Sequence, residues 1–299
     1  MHWRSILLPA SFNLKIYTEV RAFYEATSDI MLRHEAQNLI PLGNAIIGVT
    51  GKDKSGWRDP TDWLMATVED SEGIKMTAIM TPPHYLTLFA TDNQFDTEVI
   101  DALVKGLIDC EVEVPGIMTE KSLAEAFARA YSQARSVPLV TEEQQGLYEL
   151  TRVNPDIPKV GTLRLAKDSD LSFLPYWVRA FEYDCFGITK PITNDLDEYQ
   201  HYITDKRLYF LEVDDTPVSM AMTNREMKAV CGVANVYTPP FFRNRGYASA
   251  CVAGVSQAVL DRGFEKCALY TNLANPTSNK IYQEIGYQLI AESLKVRFG

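Results

Sequence analysis

Between residues 231 and 291 the chain alternates strand-like and helix-like stretches at close spacing, and that alternation constrains the fold more than any other feature. Residues 231–238 are rich in β-formers. Residues 246–262 carry small and apolar side chains at helical spacing and stop at Gly263, where a left-handed residue ends a helix. Residues 266–271 read as a strand, 277–285 as a helix ending at Gly286, and 287–291 as a strand. Strand, helix, strand, helix, strand implies an α/β sheet whose ligand sits near strand ends and helix starts.

Upstream, residues 208–213 and 218–223 read as a hairpin across Asp214-Asp215-Thr216-Pro217, residues 161–166 as a strand, and residues 168–186 as a helical region capped by Asp168. The first part mixes helix and strand. Residues 17–42 have mostly helical spacing, with Val20, Phe23, Ile30, Met31 and Leu39, and an expected break near Ser28. Residues 63–68, 74–80 and 85–90 read as adjacent strands, 97–108 as an amphipathic helix, 111–114 as a strand and 120–134 as an alanine-rich helix. The pattern loosens over 135–159, where Pro138, Pro155 and Pro158 bracket one strand-like run at 146–153. The expected organisation is an N-terminal α/β domain over 1–150 and a second domain over 161–299.

With 299 residues, two domains of ordinary size are expected. A hydrophobic content of 46% and a charged content of 23% give a chain with a true core. The formal net charge of -10 argues against nucleic acid, which needs a basic surface to displace counterions. The apolar run at 6–10 is far short of a membrane span and lacks a signal-peptide cleavage site, so no membrane partner and a cytoplasmic location are expected. Five cysteines without a CxxC pair fit reduced thiols, and Cys251 falls on the apolar face of its helix as a core residue rather than a nucleophile. His2, His34, His84 and His201 have no ligand-like spacing, so no metal is expected.

The stretch most informative about chemistry is Asn235-Val236-Tyr237-Thr238-Pro-Pro-Phe-Phe-Arg243-Asn244-Arg245-Gly246-Tyr247-Ala248, which passes from a strand through a loop into a helix. A helix start offers unpaired N–H groups and the positive end of the helix dipole to a phosphate. Arg243 and Arg245 add cationic groups, Gly246 lets a phosphate approach the backbone, and Ala248 keeps the next turn small. Neither GxxxxGK[ST] nor GxGxxG is present, which argues against ATP and dinucleotides.

Arg243-x-x-Gly246-x-Ala248 after a strand resembles the [QR]-x-x-G-x-[GA] acetyl-CoA loop of the GNAT acyltransferase superfamily. Asn275-Pro-Thr-Ser278-Asn-Lys-Ile-Tyr282-Gln-Glu-Ile-Gly286-Tyr287 resembles that superfamily's second signature. The resemblance is firm over 161–299 and weak over 1–150. It implies a mixed, mostly antiparallel sheet flanked by helices in an α+β arrangement. It also implies transfer of an acetyl group from acetyl-CoA, as co-substrate, to a primary amine of a small molecule or peptide. By the same resemblance, the strand segment Val236, Tyr237 and Thr238 pairs with the pantetheine arm, residues 243–248 take the pyrophosphate, Asn275 and Ser278 lie at the cofactor, and Tyr282 protonates the leaving thiolate.

Tyr282 also reads as a packed helix residue and Asn275 as a helix cap. The strand 231–238 has no Asp or Glu to act as base, which leaves a water chain or a residue from elsewhere, with Glu182 and Asp184 as candidates. A sensor that binds acyl-CoA without turnover, or a transferase for longer acyl chains, remain the alternatives, and the oligomeric state is undetermined. Residues 115–134 align with 239–258 at a constant offset, which hints at an internal repeat whose first copy has Thr119, Lys121 and Ser122 in place of the cradle. The first half is then a degenerate GNAT-like copy.

Overall fold

The computed structural model describes residues 12–51, 60–192 and 196–299; His2 and the apolar run at 6–10 lie outside them. The first half of the chain forms β1 (Asn13–Ile16), α1 (Val20–Leu32), α2 (Pro41–Thr50), β2 (Leu64–Asp70), β3 (Gly73–Met80), β4 (Thr87–Ala90), α3 (Thr97–Asp109), β5 (Gly116–Glu120), α4 (Lys121–Arg135) and β6 (Leu139–Leu150). The second half forms β7 (Thr162–Leu165), α5 (Leu174–Phe186), α6 (Leu196–Thr204), β8 (Leu208–Val213), β9 (Thr216–Asn224) and β10 (Val230–Tyr237). It ends with α7 (Tyr247–Asp261), β11 (Lys266–Asn272), α8 (Pro276–Ile285) and β12 (Gln288–Phe298). Leaving aside short 3-10 turns, both halves follow one order: strand, two helices, three strands, helix, strand, helix, strand. The class is mixed α/β with mostly antiparallel pairing, flanked by helices.

The chain divides into two compact units. In the first, β1, β2, β3 and β4 pair in that order, all antiparallel. Beyond them β5 touches Leu86 through a parallel bridge at Ile117 and pairs antiparallel with residues 293–297 of β12. Helix α3 buries Val99, Ile100, Leu103, Val104 and Leu107, spaced as one apolar stripe, and packs with Phe127 and Tyr131 of α4 into a single core.

In the second unit the order is β6, β11, β10, β9, β8, β7. Residues 145–150 of β6 pair antiparallel with β11. The hairpin between β8 and β9 turns at Asp214 and Asp215, with φ of 48° and 58°, as a tight two-residue turn requires. Helix α7 covers the sheet with small and β-branched residues, burying Cys251, Val252, Val255, Ser256 and Val259. Cys251 is a core residue, as expected from its apolar face.

Several local expectations are corrected. Helix α1 runs unbroken through Ser28 to Leu32, where the neighbouring Thr27 hydroxyl donates to Phe23 O at 2.7 Å; α2 then restarts at Pro41, whose fixed φ suits a first helical turn. Residues 111–114 are not a strand. Glu111 has a φ of 56°, which breaks the extended chain, and β5 begins only at Gly116. Asp168 does not cap α5: it lies in a 3-10 turn, and α5 opens at Leu174 with Pro175 in its first turn. The carboxylate that organises that turn is Asp170, held by Arg164 at 2.7 and 2.9 Å and by the Lys167 N–H at 2.8 Å.

The loosened stretch 135–159 contains the 12-residue strand β6, whose polar Glu142, Glu143, Gln144 and Gln145 hide its period. The offset that aligned α4 with α7 is out of step. By element order α7 corresponds to α3 and α8 to α4, so the first-half counterpart of the cradle is the loop 91–96 rather than Thr119, Lys121 and Ser122. Alanine-rich helices share composition because both must pack closely on a sheet, and composition alone set the false register.

Candidate active site

The site begins where two parallel strands part. β10 pairs with β11 only from Val230 to Gly232, opposite Lys266 to Ala268, although both strands continue beyond. On its other side β10 stays paired with β9, with a register shift between Ala234 and Tyr237 and with Asn235 at a φ of 50°. A bulge of this kind increases local twist and turns one strand away from its neighbour. The edge of β10 at Val236 and Tyr237 is thereby left without a strand partner on the β11 side, and an extended ligand with amide groups can pair there.

After β10, Pro239 and Pro240 set a 3-10 turn that carries the chain to α7. Gly246 is the N-cap, with φ 78° and ψ 2°, a left-handed conformation that strains any side chain. A Cβ built on it meets no heavy atom of the described residues within 4 Å, so the backbone there faces open space. No side chain caps α7, and its first internal bond runs from Ala250 N–H to Gly246 O at 3.0 Å. The N–H groups of Tyr247, Ala248 and Ser249 form the open start of a 15-residue helix, the geometry that binds a phosphate.

The two arginines of the loop behave differently. Arg243 Nε donates to Thr238 O at 2.8 Å and its Nη2 to Asp184 at 2.6 Å, with the guanidinium over the Tyr237 ring. Its side chain thus ties the loop to α5. Arg245 lies over the Phe241 ring, 5.2 Å from the centroid.

Facing the loop is α8. Asn275 caps it by accepting from Ser278 N–H at 3.1 Å, so the capping role is real. Asn279 donates to Asn272 O at 2.9 Å and Asn275 O at 2.6 Å, and accepts from the Tyr148 hydroxyl at 2.9 Å. Tyr282 is only 8% exposed, between Tyr148 and Tyr287 with ring centroids 6.5 and 5.9 Å away. Burial, and then the nearby Cys185, push its pKa well above 10.0, which keeps it a neutral phenol across the ordinary pH range.

These parts share one cavity of about 1090 Å³. Val236, Tyr237 and Thr238 line it from β10, and Arg243, Asn244, Gly246, Tyr247 and Ala248 from the loop and α7. Asn275, Ser278 and Tyr282 line it from α8. Arg245 is the one residue of the expected set that does not border it. Side chains without a sequence signal join them: Phe181 and Cys185 of α5 line the cavity, and Tyr148 of β6 anchors α8 through Asn279. Of the two base candidates, Asp184 lines the cavity but is paired with Arg243, and Glu182 is paired with Arg179 and, at 3.6 Å, with Lys190.

A sheet split between parallel strands, an uncapped helix start and a buried phenol thus meet around one cavity. Residues 175–287 match the model of the Acetyltransferase (GNAT) family. Similar solved structures extend the likeness of fold to nearly the whole chain. A GNAT-family acetyltransferase from Colwellia psychrerythraea is 12% identical, with 96% of this chain and 100% of that one covered and a TM-score of 0.57. A GCN5-related N-acetyltransferase from Sphaerobacter thermophilus is 15% identical, with 98% and 97% covered and a TM-score of 0.58. A Drosophila protein reaches 0.64 at 11% identity, with 96% and 98% covered. A comparison with curated proteins gave no match.

Proposed function

We propose that the second unit moves an acetyl group from acetyl-CoA to a primary amine of a small molecule or peptide by direct attack. The observation that carries this reading is the convergence of the open β10 edge, the uncapped start of α7 and Tyr282 on one cavity. Backbone groups of Val236 and Thr238 pair with the pantetheine arm, and the N–H groups of Tyr247 to Ser249 take the pyrophosphate. Asn275 and Ser278 border the arm from the other side. A β10 N–H stabilises the oxyanion, and the Tyr282 hydroxyl protonates the leaving thiolate.

Arg243 contributes as a clamp between Thr238 and Asp184 more than as a direct phosphate ligand. Because Asp184 is engaged by Arg243, the amine gives up its proton to water rather than to a dedicated carboxylate. A sensor without turnover is the second reading, favoured by the lack of a carboxylate on β10. No helix among the described residues is long and apolar enough to cross a membrane, in keeping with a cytoplasmic enzyme. The first unit serves as a non-catalytic copy.

The test is calorimetric titration of acetyl-CoA into the wild type and into Gly246→Glu. Binding that the substitution abolishes supports the reading, and a wild type that binds no CoA species overturns it.

A further inference from the structure

Cys185 stands in the last turn of α5, exposed and outside any disulfide, yet it lines the same cavity as Thr238, Ser278 and Tyr282. The Tyr282 side chain is more than nine-tenths buried, and its hydroxyl makes no hydrogen bond to any described residue although it borders that cavity. The hydroxyl is open to the cavity with its hydrogen-bonding capacity unused, so it is a place for a ligand atom. Thiol and hydroxyl line the same cavity, and the phenol feels Cys185 electrostatically. A thioester whose sulfur meets Tyr282 lies with its carbonyl carbon in the cavity that Cys185 borders.

Resting on the acyl-CoA reading above, we propose that Cys185 is a self-acylation site, which takes the acyl group of an acyl-CoA bound in the cavity and holds it as an enzyme thioester. Cys185 Sγ attacks the carbonyl carbon, the new C–S bond forms, and the C–S bond to CoA breaks. The Cys185 proton passes to water at the cavity mouth. Tyr282 protonates the CoA thiolate and regains a proton from the same water, so no oxidant is needed and no net proton is consumed. One thioester replaces another, so the exchange is close to balanced, and the acylated fraction follows the ratio of acyl-CoA to CoA.

The experiment is intact-mass and peptide-mapping spectrometry of the full chain after incubation with acetyl-CoA at neutral pH. The expected result is a single acetyl group on Cys185, removed by hydroxylamine and by excess CoA, and missing in Cys185→Ser and Gly246→Glu. Cys110, also exposed but not part of the cavity, is the internal control and stays unlabelled. An unlabelled Cys185 in a protein that binds acetyl-CoA by calorimetry overturns this proposal alone. So does label that forms equally fast in Gly246→Glu, because it then comes from solution. A wild type that does not bind acetyl-CoA overturns both readings, which keeps the two failures apart.

Discussion

The loops that open α3 and α7 hold the same place in the element order and have opposite chemistry. The loop before α7 carries Arg243, Arg245 and Gly246, and the first turn of α7 has no acidic residue. The loop before α3 carries Asp92 and Asp96, its helix adds Glu98 in the first turn, and no glycine or arginine is present between 91 and 96. Val99 and Ile100 are 3% and 2% exposed, so bulky apolar groups fill the start of α3 where α7 has Ser249 and Ala250.

Counting seven residues from each cap gives Tyr282 in α8 and Phe127 in α4. Asn275 and Glu120 both cap their helices through side-chain oxygens, but Phe127 has no hydroxyl to donate. A shared element order thus goes with shared capping and packing, while the residues at the two helix starts and at these helix positions differ.

The largest effect that tests this contrast is Gly246→Glu, which puts an acidic side chain on a left-handed residue at the cradle, as in the acidic first loop. Affinity for acetyl-CoA should fall by about 100-fold or more, the scale of losing several charge-assisted hydrogen bonds. A control change in the first loop, Asn93→Glu, should leave calorimetric affinity unaltered, and a fall there breaks the contrast.

Next is Tyr282→Phe, which gives α8 the residue of α4. We expect kcat to drop by roughly 100-fold or more with KM for acetyl-CoA nearly unchanged, the range for loss of a general acid. An equal kcat in steady-state assays removes Tyr282 from the chemistry.

A smaller effect is expected of Tyr148→Phe, which frees Asn279 from its anchor. Losing one buried hydrogen bond costs about 1 kcal/mol, seen as a Tm lower by a few degrees, and kcat should fall several-fold as α8 loosens. In an Asn279→Ala background, which already lacks that bond, Tyr148→Phe should cost little further.

The smallest concerns alkaline stability. Burial pushes the Cys251 thiol from 9.0 up to about 12. The folded state holds this proton more tightly than the unfolded chain, so the contribution to stability is whole below pH 9 and is lost between pH 9 and 12. At pH 10 the loss is on the order of 1 kcal/mol. Urea midpoints for Cys251→Ala should decline less over this range than those of the wild type.

Much of the second half was legible in the residues because its signals are local. Gly246, Gly263 and Gly286 mark helix ends by left-handed backbone, and all three take positive φ of 78°, 97° and 116°. Eleven of the twelve residues expected around the site line one cavity, Arg245 being turned onto Phe241 by a contact that its spacing does not announce. Cys185, Phe181 and Tyr148 were not legible as site residues, since they come from α5 and β6, and only the tertiary fold brings those elements to α8. β12 extends to Phe298, seven residues past its expected end, with Lys295 and Arg297 alternating with buried Leu294 and Val296 near its close.

The closing strands have a consequence for how the chain must be made. β5 finds its antiparallel neighbour in residues 293–297, and Ser293 Oγ donates to Thr119 O across 174 residues of sequence. During vectorial synthesis β5 emerges well before residues 293–297, and until they follow it lacks this neighbour. A β-edge open for that interval is the kind of surface that chaperones shield and that aggregates without them.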